Sequence, residues 1–381
     1  MAIFMFIIAV LTLVLILASC DAVSDNTNPD KETSGGVATQ PQEISVDFDD
    51  FFSYVALLDD SYIYFGNSDD NSTVTFYRAY FSGETLTLGQ IRNFYLNMRY
   101  SDLIYPKLYF YVSVFDEVVG DVSNKIVCID LSSNTMEEFE HYDGSIAGVP
   151  SCKFQDDIVS IKNNVEQPIV TTFVDIFDID TGNWDKRMIN TFNTESQTGT
   201  AIFGICADEN YLYILYDDRK GDETDTYLKV YDKNYNEIKS IKIDEDIHDY
   251  VMTPFISYMQ AFGGYIYIYN PSEYGFLGQV VGDDFVEVQK GHQFAMPLFS
   301  HFDDSGEVLF YTRRTNVYYV FNTSVGQFTE KSQFQIGGEY TVQTILTTAE
   351  KAFVECYADD VDDYVYLVDR DSLANVVLPC E

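Results

Sequence analysis

The feature that most constrains this chain is a unit that repeats from residue 44 to the end. Seven short runs open that unit: Tyr62-Ile-Tyr-Phe, Leu108-Tyr-Phe-Tyr, Ile158-Val-Ser-Ile, Tyr211-Leu-Tyr-Ile, Tyr265-Ile-Tyr-Ile, Val308-Leu-Phe-Tyr and Ala352-Phe-Val-Glu. Their first residues are 46, 50, 53, 54, 43 and 44 positions apart. Turn-forming residues precede most of them, among them Asp59-Asp60-Ser61, Asp208-Glu209-Asn210, Gly263-Gly264 and Asp303-Asp304-Ser305-Gly306. Asp, Asn, Ser and Gly tolerate the positive φ angles that tight hairpins need. The runs are apolar at consecutive positions rather than alternate ones, which indicates strands buried on both faces. A unit that cannot cover both of its faces must stack against its neighbours.

Each run is followed by a loop and a further strand pair. Phe173-Val-Asp-Ile-Phe with Lys186-Arg-Met-Ile-Asn is one such pair, and Tyr227-Leu-Lys-Val-Tyr with Glu237-Ile-Lys-Ser-Ile-Lys-Ile is another. The 30 tyrosines and 29 phenylalanines set against one tryptophan suit pleated surfaces. Helical periodicity is confined to residues 89–104, which could hold a short helix. Four-stranded units at this spacing predict an all-β chain, a β-propeller of seven four-stranded blades over residues 44–381. Six or eight blades, or a pair of β-sandwiches, are the alternatives. The sequence resembles propeller lipoproteins over that range. Asp178-Ile-Asp-Thr-Gly-Asn-Trp184 resembles one repeat of the quinoprotein-type propellers. It occurs once, and no quinone follows from it. A propeller must join its first and last blades or leave open sheet edges. The alternating segment Ile44-Ser-Val-Asp-Phe48 is expected to pair with the final blade, beside 352–357, 364–368 and 374–378.

The N-terminus has a different character. Residues 2–18 are apolar except for Thr12, and the run ends in Leu17-Ala18-Ser19-Cys20. That tetrapeptide matches the lipobox of bacterial lipoproteins at all four positions. The resemblance implies that residues 1–19 are a signal peptide and that Cys20 carries a diacylglyceryl group. Two acyl chains give stable anchoring, at about 0.8 kcal/mol per buried CH₂. The implied location is the outer face of the cytoplasmic membrane or the cell surface. No Lys or Arg precedes the apolar run, a departure from the export pattern. An uncleaved membrane span is the rival reading, at the short limit for a hydrocarbon core about 30 Å thick. Residues 20–43 comprise the lipidated cysteine and a stretch rich in Asp, Ser, Thr, Gly, Asn and Pro. Such a composition predicts a flexible tether.

Sixty-one acidic residues against 22 basic ones give a formal net charge of −39. Nucleic acid and anionic headgroups are repelled by such a field, so the partners it allows are cations or a basic protein. With Cys20 lipidated, Cys128, Cys152, Cys206, Cys356 and Cys380 remain, and no pair has zinc-ligand spacing. Strand positions make core packing the reading for Cys128, Cys206 and Cys356. The four histidines, 141, 248, 292 and 301, fall in no metalloprotease pattern, and Gly-x-Ser-x-Gly, Walker and GxGxxG motifs are missing. No residue is assigned a catalytic role.

The acidic loops are the remaining signal. With strands a to d counted outward from the axis, the b–c connections hold Asp69 and Asp70, then Asp217, Asp218 and Asp222, then Asp359, Asp360, Asp362 and Asp363. In a propeller these loops share one rim with the d–a connections. The expectation is a negative rim that takes a cation, calcium being the one candidate, or a basic partner. No loop has the EF-hand pattern. The functional reading is a surface-anchored, non-enzymatic binding or interaction module. A propeller enzyme acting on extracellular glycans is the alternative.

Overall fold

A computed structural model describes residues 41–43, 52–67, 73–92, 94–104, 106–116, 121–140, 151–221, 223–244, 258–270, 274–291, 306–312, 316–333, 335–338, 340–348, 350–358, 364–370, 373 and 377–379. The apolar leader, Cys20 and the tether up to residue 40 lie outside that set. The chain divides after Val37, and the unit from Ala38 onward is the folded domain described below.

The domain is a β-propeller. After the two-residue strand β1 (Gln42–Glu43), the chain makes a succession of antiparallel meanders. Blade 1 is β2 (Phe52–Leu57), β3 (Ser61–Asn67), β4 (Thr73–Tyr80) and β5 (Thr85–Arg92). Blade 2 is β6 (Phe94–Ile104), β7 (Lys107–Asp116), β8 (Asp121–Asp130) and β9 (Thr135–Glu140). Blade 3 is β10 (Ser151–Phe154), β11 (Asp157–Glu166), β12 (Ile169–Asp178) and β13 (Trp184–Asn193). Blade 4 is β14 (Thr198–Ala207), β15 (Leu212–Lys220), β16 (Glu223–Tyr231) and β17 (Glu237–Lys242). Blade 5 is β18 (Tyr258–Phe262), β19 (Tyr265–Asn270), β20 (Tyr274–Val281) and β21 (Asp284–Gly291). Blade 6 shows three described strands, β22 (Glu307–Thr312), β23 (Val317–Asn322) and β24 (Gln327–Gln333). A short strand β25 (Gln335–Ile336) follows. Blade 7 is β26 (Thr341–Thr347), β27 (Lys351–Tyr357) and β28 (Tyr364–Asp369), with β1 as its fourth strand. β29 (Val377–Leu378) ends the described chain.

The consecutive apolar runs fall on the second strand of each full blade, and the pleat explains them. Successive side chains on a strand point to opposite faces. On β15, Leu212 and Ile214 enter the core shared with blade 3, while Tyr213 and Leu215 enter the core shared with blade 5. On β19, Ile266 and Ile268 face blade 4, and Tyr265 and Tyr267 face blade 6. On β3, Ile63 and Phe65 face blade 2, and Tyr62 faces blade 7. A strand with a neighbour on each side has no solvent face to make polar.

Seven such cores connect the blades in order. Clusters join blades 1 and 2, 2 and 3, 3 and 4, 4 and 5, 5 and 6, and 6 and 7. The seventh closes the ring: Leu57, Tyr62 and Ala79 of blade 1 pack with Phe353, Val365 and Leu367 of blade 7. Phe353 is 0% exposed, and its ring centroid is 5.2 Å from that of Tyr62. Burying a side chain of this size favours the closed ring by about 1.5–3 kcal/mol.

Two expectations need correction, and a third is met a few residues earlier in the chain. Residues 89–104 form no helix but the end of β5 and the whole of β6. Met136 crowds the place a Cβ on Gly89 would take, at 2.6 Å, so the blade-to-blade contact fixes that glycine. The strand that pairs with the final blade is Gln42–Glu43, opposite Leu367 and Tyr366, within the segment read as tether. Residues 44–48, expected to do this, lie outside the described residues. Finally, Val377–Leu378 does not lie beside β28 but pairs in parallel with Gln335–Ile336. Its Leu378 fills the core between blades 6 and 7, which outweighs the simple meander order.

Candidate functional site

Blades 3 and 4 form one eight-stranded sheet, β10 through β17, whereas the other full blades stand apart as four-stranded sheets. The join is small: β13 and β14 pair only through Phe192↔Gly199 and Asn193↔Thr198. It arises because the hairpins here run past the inter-blade cores. The described apolar cluster residues on these strands reach Val174, Leu215 and Leu228, and buried Thr172, Tyr216, Asp217 and Thr226 extend the packing by one or two positions. β11 and β12 continue to a turn at Gln167-Pro168, β13 and β14 to Thr194–Gln197, and β15 and β16 to a turn at Gly221. Three hairpins thus rise side by side from the rim that carries the b–c and d–a connections.

Register places a row across this ledge: Val170 opposite Phe192, Phe192 opposite Gly199, Gly199 opposite Arg219, and Arg219 opposite Thr224. Paired residues on antiparallel strands share a face. Gly199 leaves the gap through which the Arg219 guanidinium reaches the Phe192 ring, 5.6 Å from its centroid. Its φ is +115°, and an added Cβ would lie 2.3 Å from the Thr191 carbonyl oxygen. Glycine is therefore required at this point. On the opposite face and at the tips, Ile169, Thr198, Lys220 and Glu223 are exposed.

The structure changes the reading of the acidic residues. Asp217 and Asp218 belong to β15 rather than to a loop. Asp217 is 1% exposed, accepts a 2.8 Å hydrogen bond from the Thr226 hydroxyl, and pairs with Arg219 at 3.3 Å. Asp218 pairs with Lys220 at 3.0 Å, and Asp225 pairs with Lys242. This part of the rim is a mixed-charge surface whose carboxylates already have cationic partners. Asp69, Asp70, Asp222, Asp359, Asp360, Asp362 and Asp363 lie outside the described residues, as do all four histidines and Arg313-Arg314. Among the described residues no group of three His, Cys, Asp or Glu side chains is placed to hold a metal ion. Phe192, Gly199, Arg219 and Thr226 were not legible as site residues. The only signal was the turn-like Asn193-Thr-Glu-Ser-Gln197 between two polar alternating segments.

The other rim is built of latches. In blades 2, 3, 4 and 6 the c–d turn begins with Asp130, Asp178, Asp232 or Asn322, whose side-chain oxygen accepts backbone N–H groups two to four residues on. A residue with positive φ follows in each: Asn134, Gly182, Tyr235 and Gly326. The segment 178–184 is one member of this series, and the Trp184 ring lies against Phe177, tilted by 54° with centroids 5.0 Å apart. Hydrogen bonds from Ser132 lower the Asp130 pKa, and the Thr181 and Asn236 amides do the same for Asp178 and Asp232. Between blades 3 and 4, the Tyr235 hydroxyl donates to Asp157 at 2.7 Å. Burial raises the Asp157 pKa against the opposing effect of that bond. Between blades 1 and 2, buried Arg78 binds Ser61, the Leu131 carbonyl and Asn134 at 2.8–2.9 Å. Cys128, Cys152, Cys206 and Cys356 are buried thiols within the inter-blade cores.

No family model and no curated protein sequence matches the chain. Among solved structures it is similar to the β-propeller domain of the Trilobed protease from Pyrococcus furiosus, at 12% identity and a TM-score of 0.43. That match covers 72% of this chain and 81% of the other. The class to which this chain belongs, the β-propellers, is defined by its own sheets and the cores between them.

Proposed function

We propose that this chain is a lipid-anchored, extracytoplasmic binding module, held at the membrane through Cys20 and a tether, with the ledge on blades 3 and 4 as its contact surface. The ledge carries the reading. The tips of these hairpins lie beyond the apolar cores, and here three of them are locked into one sheet with exposed tips. A rigid scaffold presenting such edges is the usual platform for recognition. The net charge of −39 favours a partner of basic character. Anchoring rests on the lipobox and the apolar run before it. Cations, calcium among them, are proposed ligands of the remaining acidic loops.

Two measurements test this. Cells fed an alkyne fatty acid should label the wild-type protein and not Cys20→Ala, and equal labelling of both contradicts the anchor. A photo-crosslinking residue at Ser196, on the ledge tip, should give a discrete adduct on intact cells, and one at Asn234, on the other rim, should not. Equal behaviour of the two positions contradicts the ledge as contact surface.

A further inference from the structure

On the rim opposite the ledge, three exposed valines gather around one buried tyrosine. Tyr265 opens β19 and packs in the core between blades 5 and 6. Register carries its face outward across blade 5: Tyr265 lies opposite Gln279, and Gln279 opposite Val286. Val281, two residues further along β20, shares that face, with Asp284 opposite it. From blade 6 the c–d turn reaches the same tyrosine, because a Cβ added to Gly326 would lie 2.6 Å from the Tyr265 hydroxyl oxygen. Val325 stands beside that glycine in the turn. Val281, Val286 and Val325 are 51%, 45% and 60% exposed. The apolar core between blades 5 and 6 therefore continues to the surface instead of ending under polar side chains. Apolar residues scattered singly over a surface need no explanation, whereas a group contributed by two blades and continuous with their shared core marks a contact surface.

We propose that this patch docks a basic amphipathic segment of a partner protein, one in which apolar side chains alternate with Lys or Arg. The apolar side chains complete the core that Val281, Val286 and Val325 leave open. The cations meet Asp283 and Asp284, which are exposed in the turn that joins the two valine-bearing strands of blade 5. Carboxylates at the edge of an apolar patch select a cationic partner and fix its register. A second copy of this chain brings a net charge of −39 of the same sign and is repelled. This contact lies on other blades than the ledge, and it stands whether or not the ledge binds or Cys20 carries lipid.

The test titrates the full chain with a short fluorescent peptide of alternating lysine and leucine, and with its glutamate–leucine counterpart. The lysine peptide should bind and the glutamate peptide should not. Val281→Thr, Val286→Thr and Val325→Thr combined keep the side-chain shape at exposed positions. The unfolding midpoint should therefore hold while the affinity for the lysine peptide falls about tenfold. Ile238→Thr, at an exposed apolar position on blade 4, should leave the affinity unchanged. Failure of the lysine peptide to bind, or equal binding by the wild type and the triple variant, would overturn the proposal. Self-association of the wild type, or its adsorption to phosphatidylcholine vesicles, that the triple variant abolishes would also overturn it and give the patch to a second copy or to lipid.

Discussion

At the residue scale, carboxylates with opposite environments govern the response to pH. Asp130, Asp178 and Asp232 have lowered pKa values because turn N–H and hydroxyl groups bind their charged forms. Their contribution is present above the unfolded carboxylate pKa and is lost as the pH falls through the lowered folded values. Asp157 has the reverse sign. Its raised pKa means that the folded state holds the proton more tightly, so the charged form costs stability at neutral pH and the cost disappears in acid. Asp157→Asn keeps an acceptor for the Tyr235 hydroxyl while removing the charge. Its urea midpoint is expected to exceed that of the wild type at pH 7, with the difference closing by pH 3.5. A loss of stability at pH 7 would show that the charge itself holds the latch.

At the element scale, strand identity was readable and strand length was not. The second strand of each full blade announced itself because burial on two faces forces consecutive apolar residues, as in Tyr265-Ile-Tyr-Ile. The turn at 178–184 was visible through its Asp-Thr-Gly, a local signal of a different kind. The ledge was hidden. Polar residues in β15 and β16 beyond the stacked Tyr216 and Tyr227 read as loop, because they lack the apolar pattern of a core strand, yet backbone pairing continues to Lys220 and Glu223. The two-residue contact of β13 with β14 depends on register between blades, which no local pattern records. Gly199 is its hinge. Gly199→Ala should destabilise by about 1–3 kcal/mol through backbone strain, and it should abolish the slow hydrogen exchange of the 192–199 amides. An alanine variant with unchanged exchange would mean that the join between blades 3 and 4 is dispensable.

At the scale of the whole molecule, excess negative charge and ring closure act against each other. A net charge of −39 repels itself across the domain. Screening reaches about 10 Å at 0.1 M salt, so the thermal midpoint should rise from 10 mM to 300 mM sodium chloride. A flat response would place the charge too diffusely to matter. The ring withstands that repulsion through seven apolar cores, the last of which is the seam. Truncating it with Phe353→Ala should cost about 3–5 kcal/mol, in line with other buried aromatic residues in the ring. Closure by a terminal strand paired with the final blade was anticipated, and Gln42–Glu43 does pair with β28. The apolar seam was not anticipated, because Leu57, Tyr62, Phe353 and Val365 meet from strands far apart in sequence.

Native-state hydrogen exchange tests that closure most directly. Amides of β3 and β27, on the two sides of the seam, should exchange only through global unfolding, at the same free energy as those of β15 on the far side of the ring. Exchange of β3 and β27 through a lower-energy opening, while β15 stays protected, would show that the ring parts between blades 7 and 1 and would contradict a propeller closed by its apolar seam.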